Sequence, residues 1–200
     1  MSRTNARELA AAAARLVVEE GLEYAAAKRR AARDLRIRGD LPGNDEVEDA
    51  VREYLAVFCT DTQPVELRAL RELARVWMER LQAFRPHLAG AAWRGTATRM
   101  SALHLELYCD DSKSAELALI DKGVDYDVTM LDRPGGGEPV SVLTLASPCA
   151  ALGETVTLHL KIHDKDDLRG ALKPDSRGRT WRGDLDALRR LLEAGPQEPA

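Results

Sequence analysis

The feature that most constrains this chain is a change of hydrophobic period near its middle. As far as Phe84 the apolar residues recur every three or four positions, the spacing of a helix with one buried face. From Ala102 to Tyr108 they recur every second position, the spacing of a half-buried strand. No single element satisfies both periods, so the chain is read as helices followed by a sheet, an α+β fold.

The helical half divides at its turn residues. Residues 4–20 carry Leu9, Ala12, Ala13, Leu16 and Val17 on one face and stop at Gly21. Residues 23–36 carry Tyr24, Ala27, Ala31 and Leu35. The loop from Gly39 to Asn44 comes next, and Asn44 can cap a third helix through Phe58 bearing Val47, Val51, Tyr54 and Leu55. Pro64 suits the first turn of a fourth helix. That helix is expected to bury Leu70, Leu73, Ala74, Trp77, Leu81 and Phe84 and to close at Pro86.

Beyond Pro86, strands are expected at 102–108, 126–131, 140–146 and 156–162, the last two rich in β-branched residues. Ser112 can cap a helix running to Lys122 before Gly123. Arg133 to Pro139 reads as a hairpin-type loop, Asp166 to Leu172 as a short helix, and Leu185, Leu188, Leu191 and Leu192 as a last one. The expected organisation is a helical subdomain at 1–84, an α/β domain at 85–172 and a tail at 173–200, its last residues disordered.

A hydrophobic content of 44% in 200 residues is enough for one large core or two small ones. The net charge of −4 argues against a chain built mainly to coat nucleic acid. No apolar run reaches the length of a membrane span. The stretch from Leu9 to Val18 is broken by Arg15 and followed by Glu19 and Glu20, unlike a secretory signal. Cys59, Cys109 and Cys149 are odd in number and widely spaced, so reduced thiols and a cytoplasmic location are expected.

The chemistry-bearing stretch runs from Leu88 to Leu105 and contains Gly90, Arg94, Gly95, Thr98, Ser101 and Leu105. At these spacings it resembles the signature of the minimal nucleotidyltransferases, the DNA polymerase beta-like family: Gly-Ser, two residues, Arg-Gly, two residues, Thr, two residues, Ser-Asp-Ile-Asp-Leu. The resemblance covers roughly residues 85–170 and implies a small mixed sheet of nucleotidyltransferase type. In such a site the glycine turn lets backbone N–H groups approach nucleotide phosphates. Two aspartates one residue apart on a strand share a face and hold two magnesium ions, and a later strand normally adds a third carboxylate.

This chain departs from that pattern where the chemistry is done. Ala91 stands at the serine, Ala102 at the first aspartate and His104 at the second. The later strand offers His159 and Lys161 and no acid. Two-metal nucleotidyl transfer is therefore not expected, and no catalytic residue, metal or cofactor is assigned.

The leading expectation is a catalytically degenerate member of the fold acting as a binding, regulatory or interaction module. Gly90, Arg94, Gly95 and Ser101 would shape a residual nucleotide or phosphate pocket, and a protein partner is a further candidate. In an opposed reading Arg94 pairs with an acid such as Glu106 and is structural only. The alternative from another class is an enzyme with an altered metal site, in which His104 and Glu106 on one strand meet His159 and His163 on another. Lys161 in the middle of that set would repel a cation. A third reading takes the basic run Lys28, Arg29, Arg30, Arg33, Arg36 and Arg38 as a DNA contact. A solvated helix face explains the run more simply, so neither nucleic acid nor a membrane is an expected partner. The glycines at 135–137 lack the lysine and hydroxyl residue of a P-loop, and Trp77 and Trp93 are expected to pack.

Overall fold

The computed structural model describes residues 3–132, 139–169, 171–175 and 177–195. It is α+β, as the change of period requires, and divides into two compact units. One comprises residues 1–67 with 96–101; the other comprises residues 68–95 with 102–200.

In the first unit, α1 (Arg3–Glu20), α2 (Tyr24–Asp34) and α3 (Asn44–Phe58) enclose a core of small and branched side chains. Leu9, Ala13, Leu16 and Val17 of α1 meet Ala27 and Ala31 of α2 and Val47, Val51 and Leu55 of α3. Alanine on α2 lets its backbone approach α1 closely, and the spacing of these residues is the helical one read from the sequence. Gly21 ends α1 at φ +68, where a Cβ would lie 2.3 Å from the Met100 carbonyl oxygen, so only glycine fits there. Helix α2 stops two residues short of the expected Arg36. The Arg36 N–H reaches the Arg33 carbonyl and the Ile37 N–H reaches the Ala32 carbonyl, closing the helix around a left-handed Arg36 at φ +55.

The long helix α4 (Gln63–Arg80) continues into the second unit and ends before the expected Pro86. A 3-10 turn at Gln82–Phe84 and a left-handed Arg85 lead into β1 (His87–Ala89). Leu70, Ala74, Trp77 and Leu81 are buried as expected, whereas Leu73 and Phe84 are half-buried and Met78 takes a core place. After α5 (Gly90–Arg94) come β2 (Leu103–Cys109), α6 (Ser112–Asp121), β3 (Asp127–Leu131), β4 (Val140–Cys149), β5 (Glu154–Asp164), β6 (Arg182–Gly183) and α7 (Leu185–Glu193).

Asp111, not Ser112, caps α6: its carboxylate accepts the Lys113 N–H at 3.0 Å, so the helix starts one residue earlier than expected. The expected helix at 166–172 is a 3-10 turn at Lys165–Leu168. The hairpin-type loop falls on 133–138, outside the described residues, but β3 and β4 on its two sides pair antiparallel. The six strands form one mixed sheet in the order β3-β4-β5-β2-β1-β6. Only β2 and β5 run parallel within it.

One face of this sheet is leucine-rich. Leu103, Leu105 and Leu107 of β2, Leu158 and Leu160 of β5, and Leu143 and Leu145 of β4 are all buried. Trp77 of α4 lies on the same face and donates its indole N–H to Ser147 at 2.9 Å. The opposite face carries the candidate site.

Candidate functional site

The motif segment folds as a short strand, a glycine turn, a short helix and then a strand ending at Cys109. Gly90 opens α5 at φ +66, and a Cβ there would lie 3.1 Å from the His104 ring. The register pairs Ala89 with His104, so the turn sits over the His104 ring. Gly95 ends the helix in the left-handed conformation. Arg71 of α4 donates to the carbonyls of Ala92 and Trp93 at 2.9 and 3.3 Å and satisfies the end of α5.

Arg94 does not pair with Glu106. Its Nη1 lies 3.2 Å from the Asp175 carboxylate, with the two side chains only 6% and 9% exposed, and its guanidinium stacks on Trp181 at 4.5 Å. Asp175 is prepared for that role. It accepts the backbone N–H groups of Arg177 and Arg179 at 2.9 Å each, and chiefly the Arg179 N–H holds its carboxyl below the ordinary range. Thr98 and Ser101 belong to the other unit, where the Ser101 hydroxyl accepts the Thr98 N–H at 3.0 Å.

The sheet brings His104 and Glu106 beside His159, Lys161 and His163. In the parallel β2–β5 register His104 opposes His159, Glu106 opposes Lys161 and Tyr108 opposes His163. The His104 and His159 rings stack with centroids 5.1 Å apart, and His159 Nδ1 lies 3.0 Å from the Thr144 hydroxyl on β4. Tyr108 stacks on His163 at 5.2 Å and meets the edge of His87 at the same distance.

Glu106 is surrounded. Arg182 of β6 forms an ion pair with it and donates to the Tyr108 hydroxyl at 2.6 Å. That hydroxyl donates to Glu106 at 3.1 Å. His163 Nε2 approaches Glu106 to 3.4 Å, ion-pair range without a formed hydrogen bond. Burial alone would raise the Glu106 carboxyl, but His163, Arg182 and Lys161 outweigh it and hold the pKa at about 2. Burial, reinforced by the Glu106 charge, pushes the Tyr108 phenol up to about 12 against the opposing pull of Arg182. Lys161 itself is half-buried and makes no direct ion pair or hydrogen bond among the described residues.

Among the described residues no three His, Cys, Asp or Glu side chains converge as a metal-binding group. The sequence reading did not anticipate Arg182, Tyr108, His87 or Thr144 at this face. Tyr108 and Thr144 lay on expected strands at positions that alternation could have placed. Arg182 sat in a polar tail with no signal that it would join the sheet.

No family model matches the chain, and no curated protein matches it. Among solved structures, the Cid1 poly(U) polymerase with MgGTP bound is 16% identical at a TM-score of 0.35. The match covers 52% of this chain and 33% of that one, so it spans about a third of the polymerase chain.

Proposed function

We propose that this protein is a catalytically degenerate relative of the nucleotidyltransferases whose polar sheet face binds an anion, a phosphate or nucleotide, and serves as a binding or regulatory module. The observation that carries the reading is the β2–β5 register. Where paired carboxylates would hold magnesium, two imidazoles and an ammonium stand side by side on a half-buried face. Lys161 supplies the charge, His104 and His159 supply ring N–H donors, and Gly90 keeps the main chain close to the His104 ring. Arg94, engaged by Asp175 and Trp181, supports the turn by holding the end of α5 rather than meeting the anion itself.

The donor set opposes the reading as an altered-metal enzyme. On this face of β2 and β5 Glu106 is the one carboxylate, and it is already paired with Arg182. A carboxyl held at about 2 is also too acidic to act as a general base near neutrality.

Thermal unfolding with inorganic phosphate and with ATP, each with and without magnesium, tests the proposal. At 100 times its dissociation constant a bound nucleotide adds about 2.7 kcal/mol, a Tm rise of roughly 5–10 °C for a chain of this size. Magnesium is expected to add nothing further, and Lys161→Ala to abolish the shift. A magnesium-dependent gain removed by chelator, or nucleotidyl transfer to any acceptor, would overturn the proposal.

A further inference from the structure

The basic run that the sequence offered as a solvated helix face is sorted by the fold into two groups. Lys28 and Arg30 are used internally: Lys28 donates to the Pro42 carbonyl at 3.1 Å and to Asn44 at 2.8 Å, and Arg30 pairs with Glu20 and Asp34. Arg29, Arg33, Arg36 and Arg38 are exposed, and none of them makes an ion pair or a side-chain hydrogen bond among the described residues. Ala27 and Ala31 face the core, so Arg29 and Arg33 project from the opposite side of α2, one turn and about 6 Å apart. Arg36 and Arg38 follow in the exposed segment just past the helix end.

The conformation of Arg36 is the second observation. It occupies the left-handed position that closes a helix, where glycine is favoured because a Cβ is strained there. Among the described residues no ion pair or side-chain hydrogen bond of Arg36 offsets that strain. A strained, exposed arginine close in sequence to three other exposed arginines points to a ligand outside the chain.

We propose that Arg29, Arg33, Arg36 and Arg38 form a sequence-independent contact for the phosphate backbone of a nucleic-acid helix. Guanidinium forks match phosphate oxygens in pairs, and four exposed guanidiniums within ten residues suit a polymer that presents many phosphates. A lipid surface is the poorer fit, because the apolar residues of α2 that would enter it, Ala27 and Ala31, are already buried in the core. The contact is independent of the anion-binding face of the sheet.

The test is binding of the full chain to a labelled 20-base-pair DNA duplex, and to an RNA duplex of the same sequence, between 50 and 200 mM salt. Four phosphate contacts give a slope of log affinity against log salt of about −3.6 on DNA, a loss of roughly a hundredfold over that range. Arg33→Gln should reduce the slope by about 1. Replacing all four, with glycine at 36 and glutamine elsewhere, should remove binding.

Arg36→Gly guards against a folding artefact. It should weaken duplex binding while leaving Tm unchanged or raised by about 2 °C, since glycine relieves the left-handed strain. Lys161→Ala should leave duplex binding intact. Equal binding by wild type and the fourfold variant, loss of binding only in Lys161→Ala, or retention on anionic vesicles or polyglutamate but not on either duplex, would overturn the proposal.

Discussion

The two faces of the six-stranded sheet are built from the same strands by alternate residues, yet they are held together by different physics. On one face Leu105 and Leu160 lie among other leucines with nothing to satisfy but volume. On the other, Glu106 and Lys161, neighbours of those leucines in sequence, carry charge into half-buried surroundings. The apolar face stabilises by burial at about 25 cal/mol per Å² and tolerates any order of leucines that fills it. The polar face must set a partner against its buried charge, which is why Arg182 and Tyr108 close on a single carboxylate. The difference teaches that the first face is held by burial and the second by matched charges.

The sharpest way to break the comparison is to empty the apolar face. Leu105→Ala, measured by chemical denaturation, is expected to cost about 3–4 kcal/mol, because the side chain is fully buried and its neighbours cannot collapse into the space. A cost below about 1 kcal/mol would mean that the leucine face is not the foundation of the sheet.

Glu106→Gln probes the polar face, with a smaller expected loss of about 2–3 kcal/mol at pH 7. The folded pKa of about 2 lies below the ordinary value of 4.5, so the contribution is fully present above pH 4.5 and is lost as pH falls toward 2. Stability of the wild type should therefore fall along that limb, and the limb should flatten in Glu106→Gln. Parallel acid profiles for the two proteins would show that the Arg182–Glu106 cluster contributes nothing of this kind.

The smallest expected effect belongs to Lys161→Met. Lys161 has no direct ion pair to lose among the described residues, so stability should change by less than about 0.5 kcal/mol in either direction, while phosphate binding should disappear. A destabilisation comparable with that of Glu106→Gln would place Lys161 among the supports of the face rather than among its ligand contacts.

Much of this architecture could be read from residue order. The α1, α2 and α3 faces, the helical Asn44–Phe58 segment and the alternation through Leu103, Leu105 and Leu107 all express local periods. The misplaced boundaries have local explanations too. Asp111 outcompetes Ser112 as a cap, and Arg36 accepts a left-handed conformation that its residue type gave no reason to expect. The lengths of β4 and β5 were underestimated because Ser147 and Cys149 are not β-branched. The two strands pair through those positions regardless, since each supports the other's hydrogen bonds.

What the sequence determined by itself was chemistry by composition: alanine at 102 and histidine at 104 are facts of the chain before it folds. It also determined that His104 and Glu106 share a face, because alternation is a property of one strand. Only the tertiary structure decided what that face meets. The parallel register of β2 and β5, strands separated by α6 and a hairpin, brings His159 and Lys161 alongside. The pairing of β6 with β1 delivers Arg182 to Glu106, and Trp93 lies where a side chain at Gly183 would have to be. Asp175, eighty-one positions away, takes Arg94 from the partner the sequence had offered it. These contacts join residues far apart in the chain, and their register is set by which buried surfaces fit together, a quantity that no local period encodes.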